Sequence, residues 1–378
     1  MESENNSGNE QCLLAIGELV VDWIATTKGA SWSKPDTFLR SPGGNAANVA
    51  TAYARLGGQA RLVAKVGSDI HGRYLLETLG DSGIDTRFIF ETSRYPTAQC
   101  YVLTGDDEEN IFFNWPKPNA CHQLSIKELS PDMFKNAFAL HATGISLTVE
   151  PRCHFVIAAM RKARDLGLLV SFDAGFPYGE GELARKLTRE AMSISHLVKV
   201  NLPELIYWLG KSKHPVPVTE LFEAPAKPEH LEILYTYCHD LLHQTGARVV
   251  MCTLGAHGSI VATENREKFY PPMKVESLAG VGAGDAYVAA VLYQLSGKLQ
   301  QLLSLPDGPK RQPVLLPAKM QAMADKEDPC IRPEDILDID WDEVAIFANA
   351  TGALATRTVS ASAGLPTSSE VLSLMTRR

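Results

Sequence analysis

Apolar residues in this chain fall into short unbroken runs, separated by helix-length stretches in which they recur every three or four positions. The first run, CLLAI over 12–16, ends at Gly17 and is continued by Leu19 to Ile24, which predicts one buried first strand. From Ala25 to Ser41 the pattern predicts a loop or small strands. SPGGNAANVATAYARLGG then opens on a glycine turn and predicts an Ala-rich helix over 45–56, stopped by Gly57-Gly58. A strand over 60–66 and a helix over 71–79 follow. Further strands are predicted over 138–142, 168–172, 197–200, 248–252 and 258–262. Further helices are predicted over 151–165, 182–193, 229–244, 285–296 and 340–356. This alternation predicts an α/β fold, a central and mostly parallel sheet flanked by helices in three Rossmann-like layers.

Two runs break the rhythm. Residues 98–104 and 110–115, joined by GDDEE, predict an antiparallel hairpin. With the segment after the first strand it can form a small second sheet, a lid built from about 23–42 and 95–116. Residues 211–230 read as a surface connection. The six prolines within 305–334 place an insertion at about 298–336 rather than a core element. Residues 1–11 are polar and acidic and read as a disordered tail without the marks of a signal peptide, leaving 12–378 as one large domain.

Composition narrows the partners. Net charge is -8, which argues against a general nucleic-acid binder. No apolar run has the length of a membrane span. Seven scattered cysteines without a C-x-x-C pair fit reduced thiols in a cytoplasmic protein better than a disulfide framework or zinc site.

Four motifs carry possible chemistry. Gly280-Val281-Gly282-Ala283-Gly284-Asp285 runs directly into the apolar helix AYVAAVLYQL. The first N–H groups of a helix have no partner within it, and the helix dipole there favours negative charge. With only small residues over them, these amides can hold a transferring phosphoryl group while Asp285 accepts a proton from a substrate hydroxyl. A capped helix with a first-turn acid explains the same residues. A dinucleotide site does not, because an acid stands where the pyrophosphate would lie and the second strand is absent. The Gly-Lys-Ser/Thr of a Walker A loop is also missing.

Gly43-Gly44-Asn45-Ala46-Ala47-Asn48 opens a helix after a loop. Its glycines let backbone approach a ligand, and its amides suit a polyhydroxylated one; a glycine turn with an Asn cap reads the same way. Asn201-Leu202-Pro203-Glu204 follows a strand, where α/β sheets bind ligands. Glu204 can hold a water on Mg²⁺ or complete a capping box with Asn201. Thr253-Leu254-Gly255-Ala256-His257-Gly258 can contact nucleotide phosphates or form a plain hairpin turn. Asp22, at the end of the first strand, can bind two sugar hydroxyls or be an ordinary loop residue.

The order of these motifs resembles that of the PfkB (ribokinase-like) carbohydrate kinases from about Leu13 to Leu372, and most of all the fructokinases. GELVVDW, PGGNAANVATAYARLGG, KVGSDIHGRYLLETLGDSGID, VKVNLPEL, CTLGAHGS, GVGAGDAYVAAVL and FANATGALATRT with GLPTSSEV carry the likeness, and LHATGISLTVEPRCHFVIAAMRKARDLGLLVSFDAG is similar to the fructokinase middle section. The resemblance implies a ribokinase-like sheet with a small β lid, and ATP with Mg²⁺ as cofactors. It implies that Asp22, Gly43, Gly44 and Asn48 bind sugar. Gly282, Ala283 and Gly284 would donate N–H groups to the phosphoryl group, and Asp285 would be the base. Asn201 and Glu204 would position Mg²⁺-bound water. Thr253, Gly255, Gly258 and Asn349 would lie along ATP. A homodimer through exposed lid strands follows from the same likeness.

The chain also departs from the family pattern. Ala279-Gly280-Val281 stands where relatives carry Asp-Thr-x, whose Asp helps hold a monovalent cation, so K⁺ is not carried over. Asp173 is followed by Ala174-Gly175-Phe176-Pro177 rather than by Asn and Arg, and Asn114 replaces a lid arginine. The expected activity is transfer of a phosphoryl group from ATP to a primary hydroxyl of a small sugar, fructose first, with ribose, 2-keto-3-deoxygluconate or a nucleoside open. The alternative is a non-catalytic sugar or nucleotide sensor on the same fold.

Overall fold

The computed structural model describes residues 11–27, 29, 36–104, 110–176, 181–211, 213–304, 333–358, 362 and 364–377. In chain order its elements are β1 (Cys12–Ile16), β2 (Val20–Ala25), β3 (Phe38–Gly43), α1 (Asn45–Arg55), β4 (Gln59–Gly67), α2 (Ile70–Asp81), β5 (Asp85–Thr92), β6 (Gln99–Thr104), β7 (Asn110–Trp115) and β8 (Ala137–Thr143). Next come α3 (Arg152–Asp165), β9 (Leu169–Asp173), α4 (Gly181–Ile194), β10 (Leu197–Asn201), α5 (Leu202–Leu209), α6 (Val218–Glu223) and α7 (Pro228–Thr245). The chain closes with β11 (Val249–Thr253), β12 (Ser259–Thr263), β13 (Arg266–Tyr270), α8 (Ala283–Ser304), α9 (Trp341–Ala355) and α10 (Ser368–Thr376).

Nine strands form the main sheet in the order β13-β12-β11-β10-β9-β8-β1-β4-β5, parallel except for β12 and β13 at one edge. A strand buried on both faces needs apolar residues at every position, which is why CLLAI reads as an unbroken run. Leu13 and Ala15 point into a core with α1, α8 and α9, whereas Leu14 and Ile16 point into a second core with α3, α5 and α7. This is the expected three-layer α/β fold.

Four strands form the small sheet, in the order β3-β2-β6-β7. The expected hairpin is its β6–β7 pair, antiparallel with Gln99 opposite Trp115. Trp23 stacks on Tyr101 with ring centroids 6.2 Å apart.

Several expectations shift. The single first strand is two: β1 belongs to the main sheet and β2 to the small one, broken at Gly17 to Leu19. Asp22 therefore lies inside a small-sheet strand, not at the end of the first strand. Strands β5 and β13 lie where none was expected, and α6 occupies part of the 211–230 connection. The helix expected to end at 296 runs on to Ser304, into the proposed insertion. Residues 1–10 of the proposed tail, 28, 30–35 and 105–109 of the lid ranges, Pro177, and 305–332 of the insertion lie outside the described residues.

Candidate active site

Parallel strands bring their C-terminal ends to one edge of the sheet, and the chain motifs gather there. The loop before α8 is tied to the end of α9, with the N–H groups of Leu278 and Ala279 donating to Thr356 O at 2.8 and 3.0 Å. Gly282 turns the chain into the helix with φ 79°, a left-handed backbone that favours glycine. Ala283 and Gly284 open α8, and the Ala283 N–H has only a long contact of 3.4 Å to Gly280 O. The helix start thus keeps donors for an anion.

Asp285 sits in that first turn, 5% exposed. One carboxylate oxygen, Oδ2, accepts a hydrogen bond of 2.8 Å from Asn48 Nδ2. Burial pushes the carboxyl up to about 8, against the Asn48 hydrogen bond, which lowers it. Asn48 comes from the first turn of α1, and its own Oδ1 has no partner among the described residues.

The Gly43-Gly44 turn leads from β3 into α1 and touches two acids. A Cβ on Gly43 would stand 2.0 Å from Asp22 Oδ2, and one on Gly44 would stand 2.5 Å from Glu18 O. A side chain at Gly43 would collide with Asp22 on β2, and one at Gly44 with the Glu18 backbone in the connection between β1 and β2. Asp22 is buried, and burial alone pushes it up to about 7. A chain of contacts therefore runs from Asp22 through Gly43, Gly44 and Asn48 to Asp285.

On the other side, Asn201 and Glu204 form the capping box of α5. Asn201 N–H donates to Glu204 Oε2 at 2.8 Å, and Glu204 N–H donates to Asn201 Oδ1 at 2.9 Å. Burial raises the Glu204 carboxyl, opposed by Lys199. Thr253 is the parallel neighbour of Asn201 across β10 and β11. Gly255 and Gly258 bound the turn into β12. That segment is both a tight antiparallel connection and a flank of the site. Asn349 gives its amide N–H groups to Tyr270 O and Pro271 O, each at 3.1 Å, so it fixes α9 to the end of β13.

The motif reading missed the charges between these points. Lys199 Nζ donates to Asp173 Oδ2 at 2.9 Å, with side chains 7% and 8% exposed. Burial by itself pulls the ammonium down, but Asp173, Glu204 and Asp285 outweigh it and hold the lysine above its usual value. Glu18 accepts hydrogen bonds from Thr143 and Ser146, all three buried. His141 meets Ser171 at 3.0 Å, and burial takes its imidazole down to about 4. The visible signal was a lysine inside the apolar strand run LVKV, where a charge needs a partner.

The sequence profile of the pfkB family carbohydrate kinases matches residues 11–304. The chain belongs to this family. This pfkB kinase is 29% identical over 373 residues to Fructokinase-1 of Oryza sativa subsp. japonica, covering 98% of this chain and 99% of that one. Its fold matches a fructokinase from Xylella fastidiosa solved with bound ATP, at TM-score 0.71 and 27% identity over 97% of this chain and 98% of that chain. It also matches a fructokinase from Vibrio cholerae O395 in a fructose, ADP and calcium ion bound form, at TM-score 0.70 and 25% identity over 97% and 99% of the two chains. The pfkB kinase is accordingly a fructokinase-like sugar kinase, a phosphotransferase with an alcohol acceptor.

Proposed function

We propose that this kinase transfers the γ-phosphoryl group of ATP to a primary hydroxyl of a small sugar, with fructose the leading substrate. The observation that carries the reading is Asp285, buried at the start of α8 behind a turn of small residues, with one oxygen held by Asn48 and the other left to receive a proton. Asp22, the Gly43-Gly44 turn and Asn48 would bind the sugar and direct its hydroxyl at Asp285. The N–H groups of Gly282, Ala283 and Gly284 would neutralise charge on the phosphoryl group in flight. Fructose is supported by relatives named fructokinase and by the fructose-bound Vibrio structure.

ATP would lie along Thr253, Gly255 and Gly258, against the wall that Asn349 fixes. Mg²⁺ fits an oxygen donor set of one carboxylate plus waters and phosphates, and Glu204, whose two oxygens accept from Asn201 in the first turn of α5, would supply such a carboxylate through a water. When bound, the ion would draw charge from the phosphates; K⁺ is not required by this reading. The small sheet would close over the sugar and exclude water, which otherwise accepts the phosphoryl group in its place. A second copy of the chain would pair along β7, the edge of that sheet, where Ile111, Phe112 and Phe113 are 53%, 55% and 49% exposed.

ADP release from Mg-ATP across a panel of sugars and nucleosides, with Asp285→Asn alongside, tests the proposal. Strong release with fructose that the substitution abolishes is the expected result. Binding of a sugar without ADP release would replace the kinase by a sensor.

A further inference from the structure

Lys199 is buried in the middle of the site, yet among the described residues only one of its N–H groups is used. The ammonium has three donors. Among the described residues it makes a single hydrogen bond, to Asp173 Oδ2 at 2.9 Å. It lies against the first turn of α8, where a Cβ on Gly284 would stand 3.1 Å from Nζ. The side chain is 7% exposed. A buried ammonium with open donors is costly unless something else fills them.

The surrounding charge says what would fill them. Asp173, Glu204 and Asp285 all act on Lys199, and Glu18 also acts on Asp285. A polyphosphate entering such a cluster meets carboxylates on several sides, with Lys199 as the buried cation between them. Its position beside Gly284 puts it next to the amides that face the phosphoryl group.

We infer that Lys199 is a catalytic residue that donates to a non-bridging oxygen of the transferring phosphoryl group, and that Asp173 is a positioning residue that holds the ammonium in place. This rests on the kinase reading. Asp173 Oδ2 fixes Nζ from one side, while Oδ1 has no partner among the described residues. The pairing crosses from β9 to β10, where Lys199 and Asp173 are direct register neighbours, so both side chains leave the sheet on the same face. Lys199 keeps its proton throughout; it supplies charge, and Asp285 takes the hydroxyl proton.

The test compares AMP-PNP with ADP, because only the former carries a third phosphate for Lys199 to reach. In Lys199→Met, calorimetry with Mg²⁺ should show AMP-PNP affinity falling about tenfold while ADP affinity holds. Turnover with the best sugar of the panel should fall about 100-fold in kcat, with KM for that sugar nearly unchanged. A merely structural lysine would move both nucleotides together. Since Met leaves Asp173 buried without its partner, the double variant Lys199→Met/Asp173→Leu removes both charges and guards against misfolding. If that double variant melts like the wild type and keeps wild-type kcat, or if either variant binds AMP-PNP as tightly as the wild type, the inference is overturned. A wild-type chain that turns over no sugar would overturn the kinase reading itself, and this inference with it.

Discussion

At the residue scale the proposed mechanism depends on one carboxylate held in an unfavourable place. Asp285 needs its charge to accept a proton, and burial opposes that charge. With its pKa near 8, the ionised fraction grows through neutral pH. Turnover at low sugar should therefore rise with pH and level off above about 8, and a profile flat from pH 6 to 9 would contradict Asp285 as the base. Asp285→Asn should cut kcat by about 10³-fold, an upper-range effect for a base that also orders the hydroxyl. Gly43→Ala tests the other end of the chain of contacts. Its methyl group would stand within 2.0 Å of Asp22 Oδ2, so it should raise KM for the sugar severalfold and leave ADP binding unchanged. Sugar titration and ADP calorimetry on the same sample separate the two. The glycines and Asp285 stood out in the sequence through the order of their motifs along the chain, since each motif alone reads equally well as a turn or a helix cap. Lys199 and Asp173 were not legible as a pair, because strand register across 26 residues creates their contact.

At the element scale, legibility followed burial. Strands covered on both faces, such as β8 and β11, read as mostly apolar runs and lie where the pattern puts them. Strands β5 and β13 are half-covered edge strands of the main sheet, with exposed or half-buried polar residues breaking their runs, so the pattern passed over them. The run from Cys12 to Ile24 misled for the opposite reason. It is mostly apolar, interrupted only by Gly17, Glu18 and Asp22, because β1 and β2 are both largely buried, and periodicity carries no mark of which sheet a strand joins. Strand β7 is the last strand of the small sheet among the described residues and carries three consecutive exposed apolar side chains, a combination that invites pairing with a second copy. Sedimentation of the wild type should give a dimer, and Ile111→Asp with Phe113→Asp should give a monomer with the melting temperature of its sheet core intact. A wild-type monomer at micromolar concentration would refute the pairing.

At the scale of the whole molecule, the buried acids should make stability fall on the alkaline side of neutrality. Asp22 in the small sheet and Asp285 on α8 hold protons in the folded chain up to about 7 and about 8. The unfolded chain releases them in the ordinary carboxylate range. Between those limits the folded state binds more protons, so each rise in pH favours unfolding. Below about pH 6.5 an opposite trend masks this. Burial takes His122, His141 and His196 down to about 4, so folding of these neutral imidazoles becomes easier as pH rises. Once the unfolded histidines have also lost their protons, only the acids remain. Stability should peak near pH 6.5 and fall by roughly 1–2 kcal/mol by pH 8, at about 1.4 kcal/mol per proton per pH unit, because the end of the histidine titration offsets part of the acids' loss. Asp285→Asn has no charge to bury, so its melting temperature should exceed the wild type's by a few degrees at pH 8 and by less at pH 5, where the wild-type penalty is smaller. On the proposed mechanism the same substitution would cost activity and add stability, as expected of a group kept for its chemistry. Thermal melts of both proteins from pH 5 to 8.5 decide it: curves that stay parallel would mean that Asp285 is ionised in the folded chain at neutral pH, and that Lys199 and the helix start stabilise its charge more than burial opposes it.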